Sequence, residues 1–374
     1  MSKSKKIKVG VLFGGRSAEH EVSLVSAASV IKHLDKNKYE IIPIGITKAG
    51  QWFLGDQAIK MLSSGKELPS KLRASLLPEP NERRLISVNQ PRQTLADLDV
   101  LFPVLHGTFG EDGTLQGLLE MADLPYVGCG VLGSAVGMDK IIQKLVCLEA
   151  GLPSVPFTYF TVYEYKKNQA KCLKDSRKLG YPLFVKPSNS GSSVGISKVK
   201  NDQELKNGIK LALKYDNRLL VEKAVPYPLE IECAVLGNDQ PKASALGQVI
   251  SSNEFYDYDA KYVDGQSKLV IPAPLSSRIT EVIQSLAVRA FKVLSLSGLA
   301  RVDFLVSSRS NKVYLNEVNT MPGFTSISMY PKLWQVSGLT YPKLLDRLIK
   351  LALDNYRSKK VLQTSYKPVK KWYQ

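Results

Sequence analysis

Asp303, in the run Arg301-Val302-Asp303, is followed fourteen residues later by Glu317-Val318-Asn319. On two adjacent strands these three would project oxygen donors to one spot, because residues 317 and 319 share a face by the period of two. An oxygen-only set suits Mg²⁺ bridging nucleotide phosphates. The bland alternative is a solvated strand edge with ordinary salt bridges, but an asparagine between apolar strand residues and a turn is poorly explained by packing.

A second run, Lys186-Pro187-Ser188-Asn189-Ser190-Gly191-Ser192-Ser193-Val194-Gly195, sets a lysine at a strand end before a hydroxyl- and glycine-rich loop. Backbone N–H groups in such a loop can wrap phosphate oxygens, with Lys186 adding positive charge. The order G-x-x-x-x-G-K-[ST] is absent, so the loop is no Walker A motif, and a plain flexible turn has the same composition. Glu222-Lys223 ends an apolar strand, with Glu230 eight residues beyond Glu222. A carboxylate there can accept from a ribose hydroxyl or an adenine amino group, though exposed strand-end glutamates are common. Two more glycine-rich loops, Gly14 to Ser23 and His106 to Thr114, follow strands of one α/β unit, at the strand ends where open sheets bind ligands. His106 alone reads as a satisfied loop residue; beside Glu19 and a substrate amine it reads as part of a site.

Positioning these loops requires strands and helices at set places. Ile7 to Phe13 reads as a buried strand broken at Gly14-Gly15, followed by a periodic helix from Val22 to Leu34 and a strand from Tyr39 to Ile46. The proline-bearing stretch from Gly65 to Gln93 reads as an irregular insertion. A strand from Val100 to Leu105, a helix from Thr114 to Ala122 and a strand-like Tyr126 to Gly128 complete a first α/β domain, residues 1–130. Val131 to Ala150 reads as one helix opening a central domain, 131–240, with strands at Pro182 to Lys186, Ser193 to Val199 and Arg218 to Glu222. Ile231, Cys233 and Val235 alternate as an edge-type strand. A third domain, 241–356, carries strands near Ala243 to Ile250, Leu269 to Ile271, Ala300 to Val306 and Val313 to Val318. Its amphipathic helix runs from Ile279 to Leu294, and a last helix, Tyr341 to Tyr356, precedes a basic tail, 357–374.

The 374 residues are 44% hydrophobic and 23% charged, which excludes disorder and collagen-like repeats. The net charge of +17 invites nucleic acid, anionic membrane or a phosphorylated ligand. Ten of those charges lie near the two ends, at Lys3, Lys5, Lys6, Lys8, Arg357, Lys359, Lys360, Lys367, Lys370 and Lys371. No recognition-helix, zinc or RNP-type motif accompanies them, which argues against nucleic acid. The four cysteines show no metal-ligand spacing and read as buried reduced thiols. No apolar run spans a membrane and no signal peptide is recognisable, so the expected compartment is the cytoplasm.

Ordered motifs from about residue 7 to residue 350 resemble the bacterial D-alanine:D-alanine ligases of the ATP-grasp superfamily. They are G-G-R-S-A-E-H-E-V-S-L from Gly14, H-G-T-F-G-E-D-G-T-L-Q-G from His106, G-M-D-K ending at Lys140, and K-P-S-N-S-G-S-S-V-G from Lys186. Phe255 to Tyr262 and N-E-V-N-T-M-P-G-F-T-S from Asn316 complete the set. The resemblance implies an α/β and α+β fold of ATP-grasp architecture, with an N-terminal Rossmann-like domain and ATP held between the sheets of the central and C-terminal domains. It implies ligation of two D-alanines through an acyl phosphate for peptidoglycan precursors, with ATP and two Mg²⁺ ions (Mn²⁺ able to substitute), and a homodimer. D-serine or D-lactate as second substrate is the alternative.

By the same resemblance Lys140, Lys186 and Ser193 contact phosphates, and Glu222, Lys223 and Glu230 hold adenine and ribose. Asp303, Glu317 and Asn319 hold the metals. Glu19, with Ser192 and Tyr262, takes the ammonium of the first D-alanine next to His106. Arg301 and the Gly323 N–H face the oxyanion, while Lys261 and Ser328 take the second carboxylate. The Ser188 to Val194 loop and the Asn253 to Tyr262 segment are the implied lids, and Tyr262 is associated with dipeptide rather than depsipeptide formation. Ala224-Val225 and Leu229 depart from side chains common in the family and would alter adenine packing and remove a charge.

Overall fold

Strand β1 (Ile7–Gly14) is an apolar run whose last six residues are buried, as a strand covered on both faces requires. In this computed structural model, which describes residues 5–55, 57–65, 69–80, 82–250 and 268–366, β1 lies parallel to β2 (Tyr39–Ile46), with Ile7 opposite Tyr39 and Gly14 opposite Ile46. Helix α1 (His20–His33) connects them and buries Val22, Leu24, Ala27 and Val30.

Beyond β2 the sheet continues antiparallel through β3 (Trp52–Leu54), β4 (Arg73–Leu76), β5 (Arg84–Ser87) and β6 (Thr94–Asp97). The stretch expected to be an irregular insertion is therefore a meander. Pro78, Pro80 and Pro91 sit in its turns, and strands of three or four residues are too short for alternation to stand out. On the other side of β1 lies β7 (Val100–Pro103), again parallel, so the first sheet has the order β6-β5-β4-β3-β2-β1-β7. Tyr126 contributes only an isolated bridge to Leu101. Helices α2 (Ala58–Ser63) and α3 (Thr114–Met121) belong to this unit.

The single helix expected from Val131 to Ala150 is two, α4 (Val131–Met138) and α5 (Lys140–Glu149). Asp139 separates them in an extended conformation and caps α5, accepting from the Ile141 and Ile142 N–H groups. The second sheet follows, ordered β10-β9-β11-β8 and wholly antiparallel: β8 (Phe157–Thr161), β9 (Leu183–Pro187), β10 (Ser197–Val199) and β11 (Arg218–Lys223). Strand β8 was not expected, and residues 193–196, expected as strand, belong to the loop before β10. Helices α6 (Val162–Lys167), α7 (Gln169–Arg177) and α8 (Asp202–Ala212) join this unit, where Leu205 and Ile209 share a core with Val185 and Val199.

The third sheet has the order β14-β13-β12-β15-β16. Its strands are β12 (Pro228–Gly237), β13 (Lys242–Ile250), β14 (Lys268–Val270), β15 (Gly298–Ser307) and β16 (Val313–Asn319). The segment expected as an edge strand is thus the central β12, hydrogen-bonded on both sides. Its alternation of Glu230 and Glu232 with apolar residues, which resembles an edge pattern, arises because one face looks into a polar cleft.

Helix α9 (Ser277–Val293) covers the other face with Ile283, Leu286, Ala290 and Phe291. Helices α10 (Met329–Val336) and α11 (Tyr341–Lys360) share one core with the first sheet, in which Val11, Phe102, Phe324, Tyr330 and Leu348 are buried together. Helix α11 carries on past residue 357, and Lys359 and Lys360 pair with Glu120 and Asp123 of the first unit. All four cysteines are buried and unbridged. Among the described residues no helix is long and apolar enough to cross a membrane.

Candidate active site

Three groups of side chains converge where the three sheets meet. The first forms at the end of β1. Ser17 donates its hydroxyl to the His106 carbonyl at 2.7 Å and accepts from the Glu19 N–H at 3.2 Å, which fixes the start of α1. Glu19, only 8% exposed, accepts from the Ser192 hydroxyl across the cleft. Two glycines permit this approach. A Cβ on Gly107 would stand 2.8 Å from Glu19 Oε2, and one on Gly191 would be closer still. Ser192 and Ser193 hold φ of 46° and 60°, a conformation non-glycine residues keep only where their surroundings enforce it.

His106 is buried, and both ring nitrogens are engaged within the protein. Nδ1 lies 3.0 Å from the Met321 carbonyl, which can only accept, so Nδ1 carries the proton and Nε2 takes that of the Ser26 hydroxyl at 3.2 Å. Burial lowers the pKa of the ring, favouring this neutral form. Glu111 accepts from the Gly107 N–H at 2.7 Å and the Met321 N–H at 3.0 Å. Burial first, and Glu19 next, push its carboxyl up to about 8. His106 and Glu111 together hold both backbone groups of Met321, and so fix the loop that carries Gly323.

The second group faces across from the second sheet to the third. Glu222 lies between two buried ammonium groups: Lys186 pairs with Oε1, and Lys144 pairs with Oε2 at 3.0 Å. Burial would raise this carboxyl, but the two lysines outweigh it and hold it at about 2. Lys186 also donates to Asn316 at 3.3 Å, and despite burial Glu222 and Glu317 raise its pKa. Glu230 lines the same cavity, whereas Lys223, one residue past Glu222 on a pleated strand, is exposed and lines neither cavity of the cleft.

The third group lies on β15 and β16. Their register sets Arg301 opposite Asn319 and Asp303 opposite Glu317. Arg301 grips Asp303 with two bonds of 2.7 Å and reaches Glu232, which stands opposite Asp303 on β12, at 3.0 Å. Burial opposes the guanidinium charge, but Asp303 and Glu232 raise its pKa well above the usual value. The Asn319 amide donates to Asp303 at 2.9 Å. Lys140 reaches in from the start of α5, donating to the Ser190 carbonyl at 2.6 Å and standing 3.6 Å from Glu317.

Among the described residues no three His, Cys, Asp or Glu side chains converge as a ready metal site. The donor chemistry of Asp303, Glu317 and Asn319 nevertheless fits a hard divalent cation: two carboxylates face each other in register with an amide on the same face, and the Arg301 fork balances their charge.

Glu19, His106, Lys140, Ser192, Arg301, Glu317, Asn319, Gly323 and Ser328 all line one cavity. Lys186, Glu222, Glu230 and Asp303 line a second, which shares Ser193, Glu232, Arg301 and Glu317 with the first. The Ser328 hydroxyl bonds Thr325 Oγ1 at 2.8 Å at the head of α10. Lys261 and Tyr262, with the whole 253–262 lid expectation, lie outside the described residues. Sequence reasoning assigned no role to Lys144, Glu232, Glu111 or Asp139. Glu232 was legible as the second residue after Glu230 on one strand face, whereas a helical lysine such as Lys144 carries no local sign of burial.

Comparison with known proteins decides the family. The model of the D-ala D-ala ligase N-terminus matches residues 8–129, and that of the C-terminus matches residues 146–350. The chain belongs to the D-alanine–D-alanine ligase family. This ligase family member is 51% identical over 356 residues to the D-alanine–D-alanine ligase of Natranaerobius thermophilus, covering 95% of this chain and 97% of that one. It is 38% identical to the solved D-alanine-D-alanine ligase of Coxiella burnetii, with a TM-score of 0.81 over 96% of this chain and 97% of that chain. The VanG D-Ala:D-Ser ligase of Enterococcus faecalis superposes with a TM-score of 0.83 at 38% identity, covering 93% of this chain and 100% of that chain. The chain is an enzyme of the D-alanine–D-alanine ligase type with the ATP-grasp fold of these neighbours.

Proposed function

We propose that the protein joins two D-alanine molecules at the expense of ATP, through an acyl phosphate, releasing ADP and phosphate in the cytoplasm for peptidoglycan precursors. The observation that carries this is the continuity of the two cavities, which brings Glu19 and Ser192 within one cleft with Lys140, Arg301 and the Lys186–Glu222 pair. Glu222 and Glu230 line the second cavity, where their carboxylates fit the amino group of adenine and the ribose hydroxyls. Lys140, Lys186 and the backbone of the 190–195 loop would hold phosphate oxygens.

Glu19, held by Ser192, binds the ammonium of the first D-alanine and presents its carboxylate to the γ-phosphoryl group. His106 orients this corner rather than transferring a proton, since both its nitrogens are committed. Asp303, Glu317 and Asn319 would hold Mg²⁺, which neutralises charge on the transferring phosphoryl group. When the second amine attacks, Arg301, whose Nε and Nη2 grip Asp303, faces the oxyanion together with the Gly323 N–H. Losing one such donor costs about 10²–10³ in rate. Lys261 and Ser328 take the second carboxylate, and the 188–194 loop excludes water from the acyl phosphate. The chain works as a homodimer in this proposal.

The second D-alanine is favoured over D-serine because the relatives at about half identity are D-alanine–D-alanine ligases, whereas the D-Ala:D-Ser enzyme stands at 38%. The test uses D-alanine labelled with ¹⁸O in its carboxyl group. An acyl phosphate passes one labelled oxygen to phosphate for each dipeptide formed; unlabelled phosphate alongside dipeptide contradicts the proposal.

A further inference from the structure

Asp139 touches neither cavity, yet it ties three elements together. Its Oδ1 accepts from the N–H groups of Ile141 and Ile142 at 3.1 and 3.0 Å and from the Ser188 hydroxyl at 2.7 Å. Arg218, at the start of β11, places Nη2 3.0 Å from Oδ1 and 2.9 Å from Oδ2. The neighbouring Asn189 reaches Oδ2 at 3.4 Å, and is held from its other side by Asp216 at 2.7 Å through its N–H.

The same junction controls the next residues. The Lys140 N–H donates to the Ser188 carbonyl at 3.0 Å, and the Lys140 ammonium donates to the Ser190 carbonyl at 2.6 Å. Residues 188, 189 and 190 are therefore each fixed to the α4–α5 junction or to β11. After them the chain enters the left-handed turn at Ser192 and Ser193 that meets Glu19.

We propose that Asp139, paired with Arg218, is a positioning residue that registers the 190–196 loop against Lys140 and Glu19, and that exclusion of water from the acyl phosphate depends on this register. The proposal rests on the ligase reading above. One carboxylate caps the helix that brings Lys140 into the cleft and also holds the mouth of the loop that covers it, so the two phosphate-facing elements move as one. Weakening the Asp139–Arg218 pair frees the loop without removing any group that faces substrate. Acyl phosphate is then lost to water, and ATP is consumed without peptide bond formation.

Two variants separate this from a folding defect. Asp139→Asn keeps an oxygen for the helix and for Ser188 but loses the ion pair; Arg218→Gln leaves the cap intact. Amide hydrogen exchange of the 188–196 peptide without nucleotide is expected to quicken about tenfold or more in both, as for a lost hydrogen bond to a charged group. Phosphate released per dipeptide should rise from one to about two or more as water reaches the intermediate. Wild-type exchange in both variants overturns the anchoring, and faster exchange with a ratio still at one overturns its link to the chemistry. A wild-type enzyme that makes no dipeptide would refute the ligase reading instead, while the exchange comparison would still judge the anchor.

Discussion

Glu222→Gln removes a negative charge from between two buried ammonium groups with almost no change in volume. In the wild type Lys144 and Lys186 hold this carboxyl at about 2 against an ordinary value of 4.5. That difference corresponds to about 3 kcal/mol of folded-state stabilisation. A carboxyl lowered by folding contributes fully above its unfolded value and loses the contribution as pH falls from 4.5 towards 2. At pH 7 the variant therefore forfeits the whole amount and leaves Lys144, 1% exposed, and Lys186 to repel each other. The expected fall in melting temperature is about 6–12 °C, taking roughly 2–4 °C per kcal/mol for a unit of this size. Adding Lys144→Met should recover part of it, because an unpaired buried charge costs more than its absence. Thermal unfolding by circular dichroism at pH 7 measures all three proteins. A Glu222→Gln midpoint within about 1 °C of wild type would refute the reasoning, because it would mean the buried charges already balance without Glu222.

Other expectations follow from the same cleft. Asn319→Ala should raise the Mg²⁺ concentration needed for half-maximal activity about tenfold or more while leaving the melting temperature close to wild type, as a metal titration would show. Glu19→Gln should raise the D-alanine requirement at the first site by about tenfold or more, since the ammonium loses a charge-assisted partner; initial rates against D-alanine would show it. Glu111 binds its proton more tightly in the folded protein, at about 8 against 4.5, so its contribution to stability is complete below the lower value and declines as pH rises through the higher. Glu111 therefore lowers the melting temperature as pH rises from 4.5 to about 8, and over that range the wild type should lose more than Glu111→Gln in thermal unfolding.

Long buried strands were legible because each residue repeats the same evidence. The eight residues of β1 and the ten of β15 are apolar or alternate throughout, whereas β4, β5 and β6 have four each and lie between prolines. Residues grouped by local spacing, such as Asp303, Glu317 and Asn319, could be read together because two paired strands convert sequence distance into register. Contacts between units could not. Nothing local says that His106 and Glu111 clasp the backbone of Met321, more than 200 positions away. Lys144 was hidden differently: a lysine in a helix reads as solvated, and only the arrival of Glu222 from another strand makes its burial tolerable. Asp139 looked like one letter of a motif until the break between α4 and α5 showed it capping a helix and holding a loop at once.

The most direct measurement incubates the purified protein with ATP, Mg²⁺ and D-alanine as the only amino acid, and follows phosphate and dipeptide together. One phosphate for each D-alanyl-D-alanine, with no dipeptide when L-alanine replaces D-alanine, is the predicted result. Failure to form dipeptide under these conditions would contradict the assignment, as would a mixed product dominated by D-serine or D-lactate when either competes at equal concentration at neutral pH.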